Sequence, residues 1–239
     1  NKGVGLSPRV MTLWDDQFGL AAGSWFLWRT TDGGENWRVE PSPFNHAAID
    51  SVAASLAYVV GGQGSVMKSV DSGRTWTAIG GASVPSNFDA RDVEFIDAQN
   101  GWMAGYDPNT SRGWRLFRTS NGGTTWTPVA TPGAGWDCVQ FVDANHGWVS
   151  NNKIGLRTID GGKTWHSMGI PDWGILRPRS VHFVDPSVGW TWTWAKRLAK
   201  TTDGGLTWES VSAVPFGSAD YEGLWAVSRD EVWMSGTTG

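Results

Sequence analysis

The sequence predicts an all-β chain built from repeated antiparallel units of four strands. The first observation is an eight-residue motif that recurs five times, with its closing tryptophans 39, 50, 39 and 43 residues apart. Repetition at this period indicates an array of similar units, because about 40 residues cannot bury a core alone. The second observation is a hairpin of two β-rich runs that recurs upstream of the motif. The third is that no segment shows a convincing helical apolar period.

The repeated motif, called the Asp motif below, runs from a Thr or Ser through Asp-Gly-Gly to a Trp. A short side-chain oxygen at its third position can accept hydrogen bonds from turn amides, and the glycines allow positive φ. The Trp begins the next strand, where its ring covers the edge of the unit. We therefore interpret the five copies as a folding device. Their third and last positions are Asp32 and Trp37, Asp71 and Trp76, Asn121 and Trp126, Asp160 and Trp165, and Asp203 and Trp208.

Two functional interpretations of the Asp motif are disfavoured by its composition. Each turn brings one carboxylate, whereas a calcium site needs six or more oxygens. No helix N-terminus follows the paired glycines, so the dipole and unpaired amides that cradle a phosphate are missing from the predicted structure. We predict no metal site and no cofactor.

The clearest unit runs over residues 93–129. Val93–Asp97 and Gly101–Gly105 form its hairpin, and Arg115–Thr119 and Thr125–Val129 are its third and fourth strands. Repeated blades of four antiparallel strands describe a β-propeller. We predict one propeller domain over the whole chain, residues 1–239, with about six blade units or seven. The last unit is predicted to be incomplete, because no Asp motif follows its hairpin at Leu224–Gly236.

The residues of the repeat also resemble known families. The Asp motifs resemble the Asp-box, or bacterial neuraminidase repeat. The unit from Phe95-Ile96-Asp97 through Gly101-Trp102 to Trp126 resembles, more specifically, the photosystem II stability/assembly factor family and its bacterial relatives. This resemblance implies a non-catalytic propeller that binds a protein partner, such as a membrane-protein subunit. It also implies an extracytoplasmic location, in a periplasm, a thylakoid lumen or at a cell surface.

Net charge, hydropathy and cysteine content argue against several other classes of protein. The net charge is −4 and the isoelectric point about 5.5, so no overall basic field favours nucleic acid. No apolar stretch approaches the ~18 residues needed to span a bilayer. Cys138 is the only cysteine, so no intrachain disulfide can form, and we expect it to be a small buried hydrophobic residue.

Internal alignment of the units predicts the candidate binding site. One non-repeating residue in each unit lies two positions before the leading apolar residue of the first strand, near one mouth of the predicted channel. Arginines in this series suit carboxylates or phosphates, since guanidinium groups bind them in bidentate fashion. In the alternative interpretation, the arginines pair with acids of the same series, or with Asp92, in a structural network. The series is Arg9, Ala47, Arg91, Asp137, Arg179 and Glu222.

Aromatic and basic residues supply two further series. Trp136, Trp173 and Tyr221 lie in segments that lead into first strands, where they could anchor a partner or stack on sugars. A cation also stands directly before every Asp motif. We expect these cations to cover neighbouring structure with their aliphatic stems. They are Arg29, Lys68, Arg118, Arg157 and Lys200.

Three functions compete at this stage, because propellers host many activities. The favoured one is a non-catalytic interaction scaffold that binds a protein partner at its channel face. A carbohydrate-binding or surface-assembly module is the first alternative. A glycoside hydrolase of sialidase type is the second, with Tyr221 and Glu222 as the nucleophile pair and Asp137 or Asp89 as the acid.

Overall fold

The computed structural model describes residues 8–13, 15–53, 55–109, 113–133, 135–151, 153–170, 176–193, 197–211 and 220–237. Within these ranges the chain is almost entirely β-structure, and one 3₁₀ turn at Gly81–Ser83 is the only helical element. None of the described helical structure is long and apolar enough to cross a membrane. The predicted all-β class is confirmed.

Twenty strands make up the described chain. The first six are β1 Pro8–Leu13, β2 Gly19–Thr30, β3 Arg38–Ala53, β4 Leu56–Gly61, β5 Val66–Ser69 and β6 Thr77–Ile79. The next eight are β7 Asp89–Phe95, β8 Gly101–Tyr106, β9 Trp114–Thr119, β10 Thr127–Val129, β11 Cys138–Phe141, β12 Gly147–Ser150, β13 Gly155–Thr158 and β14 His166–Ser167. The last six are β15 Leu176–Phe183, β16 Gly189–Thr193, β17 Leu198–Thr201, β18 Glu209–Ser210, β19 Asp220–Ala226 and β20 Val232–Thr237.

These strands form the repeated blades that the sequence predicts. Blades 3, 4 and 5 are four-stranded antiparallel sheets made of β7–β10, β11–β14 and β15–β18. Blade 6 has the two strands β19 and β20 within the described chain. Blades 1 and 2 join into one six-stranded sheet, because β3 supplies the last strand of blade 1 and the first of blade 2.

Blade 1 departs from the regular pattern at Trp25. The second and third strands expected from the sequence lie within the single range β2, with a register shift against β3 between Ser24 and Phe26. Trp25 has a φ of 65° and is 53% exposed. The chain reverses at this point, because a Cβ at Gly19 would lie 3.2 Å from Thr30 Cγ2 and the Gly33 N–H donates to the Gln17 carbonyl at 2.9 Å. Gly19 thus faces Thr30 as Gly101 faces Thr119 in blade 3, and Trp25 lies in a tight turn between the two halves of β2.

The chain divides into two compact units, residues 1–129 and 130–239. The first contains blades 1 to 3 and the second contains blades 4 to 6. Each has its own buried clusters, such as Tyr58, Phe95 and Trp126 in the first and Trp148, Phe183 and Trp208 in the second. The prediction that residues 1–239 form one domain stays a prediction.

The Asp motifs fold as the tight turns that their residues indicate. In the copy of blade 5, Asp203 Oδ1 accepts the Thr207 N–H at 2.9 Å, and the Thr207 hydroxyl donates to Oδ2 at 2.6 Å. The Thr201 hydroxyl donates to Asp203 at 2.8 Å and accepts the Gly205 N–H at 2.9 Å. The same contacts recur in the other motifs. In blade 3, Asn121 takes the place of Asp and its Oδ1 accepts the Thr125 N–H at 2.9 Å.

Each motif turn is also fixed to the hairpin of its own blade. The N–H of the first motif glycine donates to a carbonyl in the turn between the first two strands. In blade 3 this bond joins Gly122 to Gln99 at 2.9 Å, and in blade 5 it joins Gly204 to Ser187 at 2.7 Å. Gly122 has a φ of 65°, and a Cβ there would lie 2.7 Å from the Ala98 carbonyl oxygen. The motif and the hairpin turn therefore share one end of the blade, called the motif end below.

Aromatic rings hold neighbouring blades together within each unit. The Tyr58 ring of blade 2 stacks on the Phe95 ring of blade 3, with 3.5 Å between ring centroids. Trp126, the motif tryptophan of blade 3, meets the same Phe95 edge-on at 5.8 Å. The phenylalanine is thus enclosed by the blade before it and by its own Asp motif. A Cβ at Gly101 would overlap the Phe95 ring, which explains why glycine begins the second strand.

The cations before the Asp motifs contact aromatic rings of their own blades. In blades 2 to 5 each cation lies directly across from the aromatic residue of the second strand. Lys68 Nζ lies 5.3 Å from the centroid of Tyr58, and Lys200 Nζ lies 4.9 Å from that of Trp190. Lys200 also pairs with Asp230 of blade 6 at 3.0 Å. Cys138 is buried, as predicted.

Candidate functional site

The candidate series from internal alignment coincides with a recurring irregularity of the first strands. Ladder pairing skips Arg9 between Pro8 and Val10, Ala47 between His46 and Ala48, Arg91 between Ala90 and Asp92, and Glu222 between Tyr221 and Gly223. Arg179 lies within the register shift between Leu176 and Val181. Bulges turn a side chain out of the regular alternation and are frequent next to binding sites. The structure thus gives these residues one shared position, at the end of the blade opposite the motif end.

Asp137 is the exception in the series. It immediately precedes β11, whose ladder pairing begins at Cys138, and its N–H donates to the Ser150 carbonyl at 3.0 Å. The side chain is partly buried. The alignment therefore places Asp137 at the equivalent step of blade 4, where ladder pairing has not yet begun.

Arg91 is the arginine of the series whose side chain the structure describes. Its guanidinium pairs with Asp89 at 2.7 Å, and the two side chains are 50% and 43% exposed. The pairing is thus to an acid two residues earlier on the same strand. Asp89 Oδ1 also lies next to the turn of blade 2, where a Cβ at Gly62 would be 3.6 Å away. Arg91 and Asp89 therefore present an exposed pair of opposite charges at this end of blade 3.

The turns between second and third strands share the end at which the first strands start. In the first unit the Gly64 N–H donates to the Phe88 carbonyl, one residue before β7, at 2.7 Å. Gln63 in the same turn has a φ of 61°. This end of each blade is called the first-strand end below.

The aromatic candidates have different placements. Trp136 is fully buried, and its indole N–H donates to the Thr131 hydroxyl at 2.8 Å, so its ring packs inside the second unit. Trp173 lies outside the described residues. Tyr221 and Glu222 lie in β19, where the structure describes their backbone. Of the three aromatic candidates, Trp136 therefore offers no exposed ring in this structure.

Sequence reasoning missed a polar series on the first strands. In blades 2 and 4 the middle residue of the aligned first-strand segment contacts the first strand of the next blade. Gln140 of blade 4 accepts the Phe183 N–H at 2.7 Å and donates to the Phe183 carbonyl at 3.0 Å. Asp50 of blade 2 accepts the Phe95 N–H at 2.7 Å. The signal was present in the aligned repeats, as a polar residue between two buried apolar ones.

The acidic members of this polar series have raised pKa values. Burial raises the pKa of the Asp50 carboxyl to about 7, and the nearby charge of Asp92 acts in the same direction. Burial also raises the pKa of Glu94 well above its ordinary value, and Asp50 and Asp92 add to the shift. His46, one residue before the bulge at Ala47, is buried, and this burial lowers its pKa to about 4. Among the described residues, no cluster of His, Cys, Asp and Glu is arranged to hold a metal ion.

Comparison with known proteins decides the fold. No family model matches the chain, and no curated protein matches it either. The solved structure titled "YCF48 bound to D1 peptide" is similar, with a TM-score of 0.71 and 18% identity over 95% of this chain and 73% of that one. The WD40 β-propeller domain of Doa1 has a TM-score of 0.65 at 10% identity, over 88% and 69%. The chain has a β-propeller fold.

An enzyme shares this propeller fold as well. The crystal structure of an ancestral GH74 enzyme has a TM-score of 0.74 at 16% identity, and the similarity covers 94% of this chain and 33% of the enzyme. The structural neighbours therefore include YCF48 and GH74 propellers. The resemblance drawn from the sequence is confirmed as far as the β-propeller fold, which YCF48 shares. At these identities the likeness concerns the fold.

Proposed function

We propose that this propeller is a non-catalytic scaffold that binds a protein partner at the first-strand end of its blades. The observation that supports the proposal is the recurring break in ladder pairing, which falls on one non-repeating residue of the first strand in each of five blades. The repeated residues, in contrast, are engaged in turns and in contacts between blades. Variable side chains on a rigid frame are the usual basis of specific recognition.

The chemistry of the exposed pair supports a polar protein surface as the partner. Arg91 and Asp89 can each exchange their mutual contact for one across an interface, since both are about half exposed. Exposed charge pairs of this kind give specificity and fast association more than raw affinity. The similar structure of YCF48 contains a D1 peptide, so a propeller of this fold can hold a polypeptide. A membrane-protein subunit, met in an extracytoplasmic compartment, is the partner class that the sequence resemblance implies.

The experiment is a binding comparison with a matched charge reversal. Arg91→Glu and Arg179→Glu change the first-strand end, and Arg74→Glu changes an exposed arginine in the Asp motif of blade 2. Retention of a partner from a membrane extract should fall at least about 10-fold for the first two variants together, a loss of about 1.4 kcal/mol. It should stay within about 2-fold for Arg74→Glu. Equal retention of the partner by the parent, by the Arg91→Glu/Arg179→Glu double variant and by Arg74→Glu would refute the proposed site.

A glycoside hydrolase remains the second candidate, because a GH74 enzyme shares the fold. A retaining or inverting mechanism needs two carboxyl groups across the scissile bond. On our proposal, the chain shows no turnover of xyloglucan or of a fluorogenic sialoside. Turnover that is lost in the Asp89→Asn variant would show that the chain is an enzyme and would refute the scaffold hypothesis. Specific retention on a glycan array, with no protein partner, would instead favour the carbohydrate-binding module.

A further inference from the structure

Gln63 of blade 2 holds a strained backbone conformation that no internal contact of its side chain requires. Its φ is 61°, in the left-handed region that glycine enters freely and that costs free energy for residues with a Cβ. The side chain is exposed and makes no hydrogen bond within the described part of the chain. Strained residues are concentrated at ligand-binding positions. Gln63 is therefore a candidate for a contact outside the fold.

The turn that contains Gln63 lies beside the exposed charge pair of blade 3. The Gly64 N–H donates to the carbonyl of the residue before Asp89 at 2.7 Å. A Cβ at Gly62 would lie 3.6 Å from Asp89 Oδ1 and, apart from its two chain neighbours, would have no other atom within 4 Å. The backbone between Gln63 and Asp89 is therefore open to a ligand. Asp89 in turn pairs with Arg91 at 2.7 Å.

Tyr106 adds an aromatic surface at the same place. It lies directly across from Asp89 on the neighbouring strand, and it is 39% exposed. Its ring packs on the backbone of Gly113, since a Cβ there would overlap the ring. Aromatic rings that are held in place but remain accessible are frequent anchors at interfaces. The four residues Gln63, Asp89, Arg91 and Tyr106 are called the blade 2–3 cluster below.

The blade 2–3 cluster carries no net charge, because Asp89 neutralises Arg91. A second arginine at this end of blade 3, Arg115, is held at 3.0 Å by the buried carboxylate of Asp107. The amide of Gln63 adds a donor and an acceptor without charge. Such a mixture of donors and acceptors matches the N–H and C=O groups of a peptide backbone. An acidic or phosphorylated ligand would instead need cations that are not already paired.

We infer that the blade 2–3 cluster binds an uncharged, extended segment of the partner polypeptide. The backbone of this segment exchanges hydrogen bonds with the Gln63 amide and with the Asp89–Arg91 pair. One of its aromatic or proline side chains packs on the Tyr106 ring. The inference rests on the proposed function, since it names the kind of segment that is bound at the first-strand end.

A phage-displayed library of random octapeptides is the probe for a direct test. Selection on the whole protein should enrich segments that lack Asp, Glu, Lys and Arg and that contain an aromatic residue or a proline. Synthetic copies, acetylated and amidated at their ends, are then measured by fluorescence anisotropy. Their affinity should change less than about 2-fold between about 0.05 M and about 0.5 M salt, because salt screens interactions between charges and these peptides have none.

Two substitutions locate the site. Gln63→Gly should weaken binding of the selected peptides at least about 5-fold, and Tyr106→Ala about 10-fold. Gln63→Gly should not lower the melting temperature, because it relieves backbone strain, whereas a purely structural role for Gln63 would lower it. Val70→Ala is the control, since it changes an exposed apolar residue in the Asp motif of blade 2 and should leave the affinity unchanged.

Three results would overturn the inference. They are selection that enriches no peptide, enrichment of acidic peptides whose affinity falls steeply with salt, and unchanged affinity in both Gln63→Gly and Tyr106→Ala. If Tyr106→Ala fails to fold, Gln63→Gly and the salt dependence still decide the matter. Partner retention that requires Arg91 and Arg179 but neither Gln63 nor Tyr106 would refute this segment and leave the proposed function standing. Retention that requires none of these residues would refute both.

Discussion

The indole of Trp148 stacks on the ring of Phe183 in the next blade, with 3.5 Å between centroids and 6° between planes. The Trp148 N–H also donates to the Gly204 carbonyl in the Asp motif of that blade, at 3.0 Å. One side chain thus joins two blades by an apolar contact and a polar one. Tyr58 and Phe95 repeat the stacking in the first unit.

Phe183→Ala should lower the free energy of unfolding by about 3–5 kcal/mol, because the ring is 1% exposed and packs against both Trp148 and Trp208. Urea denaturation followed by tryptophan emission measures the change. Phe183→Leu keeps most of the volume and should cost less than half as much. Equal costs for the two variants would show that the loss comes from the ring contacts and not from the volume that the side chain fills.

Gln140→Leu should cost roughly 1–3 kcal/mol, because it leaves the N–H and the carbonyl of Phe183 unpaired in a buried place. Gln140→Glu is the matched variant, since it keeps the oxygen that accepts the N–H but loses the donor to the carbonyl. We expect chemical denaturation to rank the parent above both variants. An unchanged midpoint for Gln140→Leu would contradict the contact between blades.

Asp203→Ala should destabilise the fifth blade by roughly 1–2 kcal/mol, the usual cost of losing a side-chain cap on a turn. Asp203→Asn should cost much less, because Asn121 already performs this role in blade 3. Thermal unfolding compares the two. A loss for Asp203→Asn as large as that for Asp203→Ala would show that charge, rather than hydrogen bonding, holds the turn.

Ser72→Gly should stabilise the first unit by up to about 1 kcal/mol, because Ser72 has a φ of 62° at a position where other motifs have glycine. The opposite change, Gly122→Ala, should destabilise, since its Cβ would lie 2.7 Å from the Ala98 carbonyl oxygen. Differential scanning calorimetry should show melting temperatures that move in opposite directions. A lower melting temperature for Ser72→Gly would contradict the strain.

Asp50 should make the first unit less stable as pH rises from about 4 to about 7. Its pKa is near 3.8 in the unfolded chain and about 7 when folded, so the folded state binds the extra proton in this window and loses that advantage above it. Asp50→Asn keeps an oxygen for the Phe95 N–H and removes the titration. The parent should therefore lose stability between pH 5 and pH 8 relative to this variant. Taking the difference also cancels the opposite contributions of the neutral His46 and His182.

The sequence predicts the repeated parts of this structure well and the non-repeating parts poorly. The Asp motifs and the Phe95 segment could be recognised because turn chemistry and strand alternation depend on residues that are close together in the sequence. The buried position of Trp136 could not, because a tryptophan in a loop has the same local pattern whether it faces solvent or the core. The contact from Gln140 to Phe183 spans 43 residues, and no local pattern reports such a pairing.

The tight turn within β2 has a similar explanation. Both halves of β2 can be predicted from the sequence, but nothing in the sequence marks Trp25 as a residue with positive φ. Alignment of the repeats located the residues at the first-strand end, but it did not predict the bulged geometry of their backbone. A register shift depends on the neighbouring strand as much as on the residue that is skipped.

In blades 1, 2, 3 and 6, the bulge in the first strand separates the residues that repeat from one that varies. Residues that hold a blade are copied from repeat to repeat, whereas the skipped position has become Arg, Ala, Arg or Glu in Arg9, Ala47, Arg91 and Glu222. This residue is skipped in the pairing between the first and second strands, so its side chain can change while the sheet keeps its register. A few substitutions at this skipped position can therefore change which partner a propeller of this kind binds, while its fold stays the same.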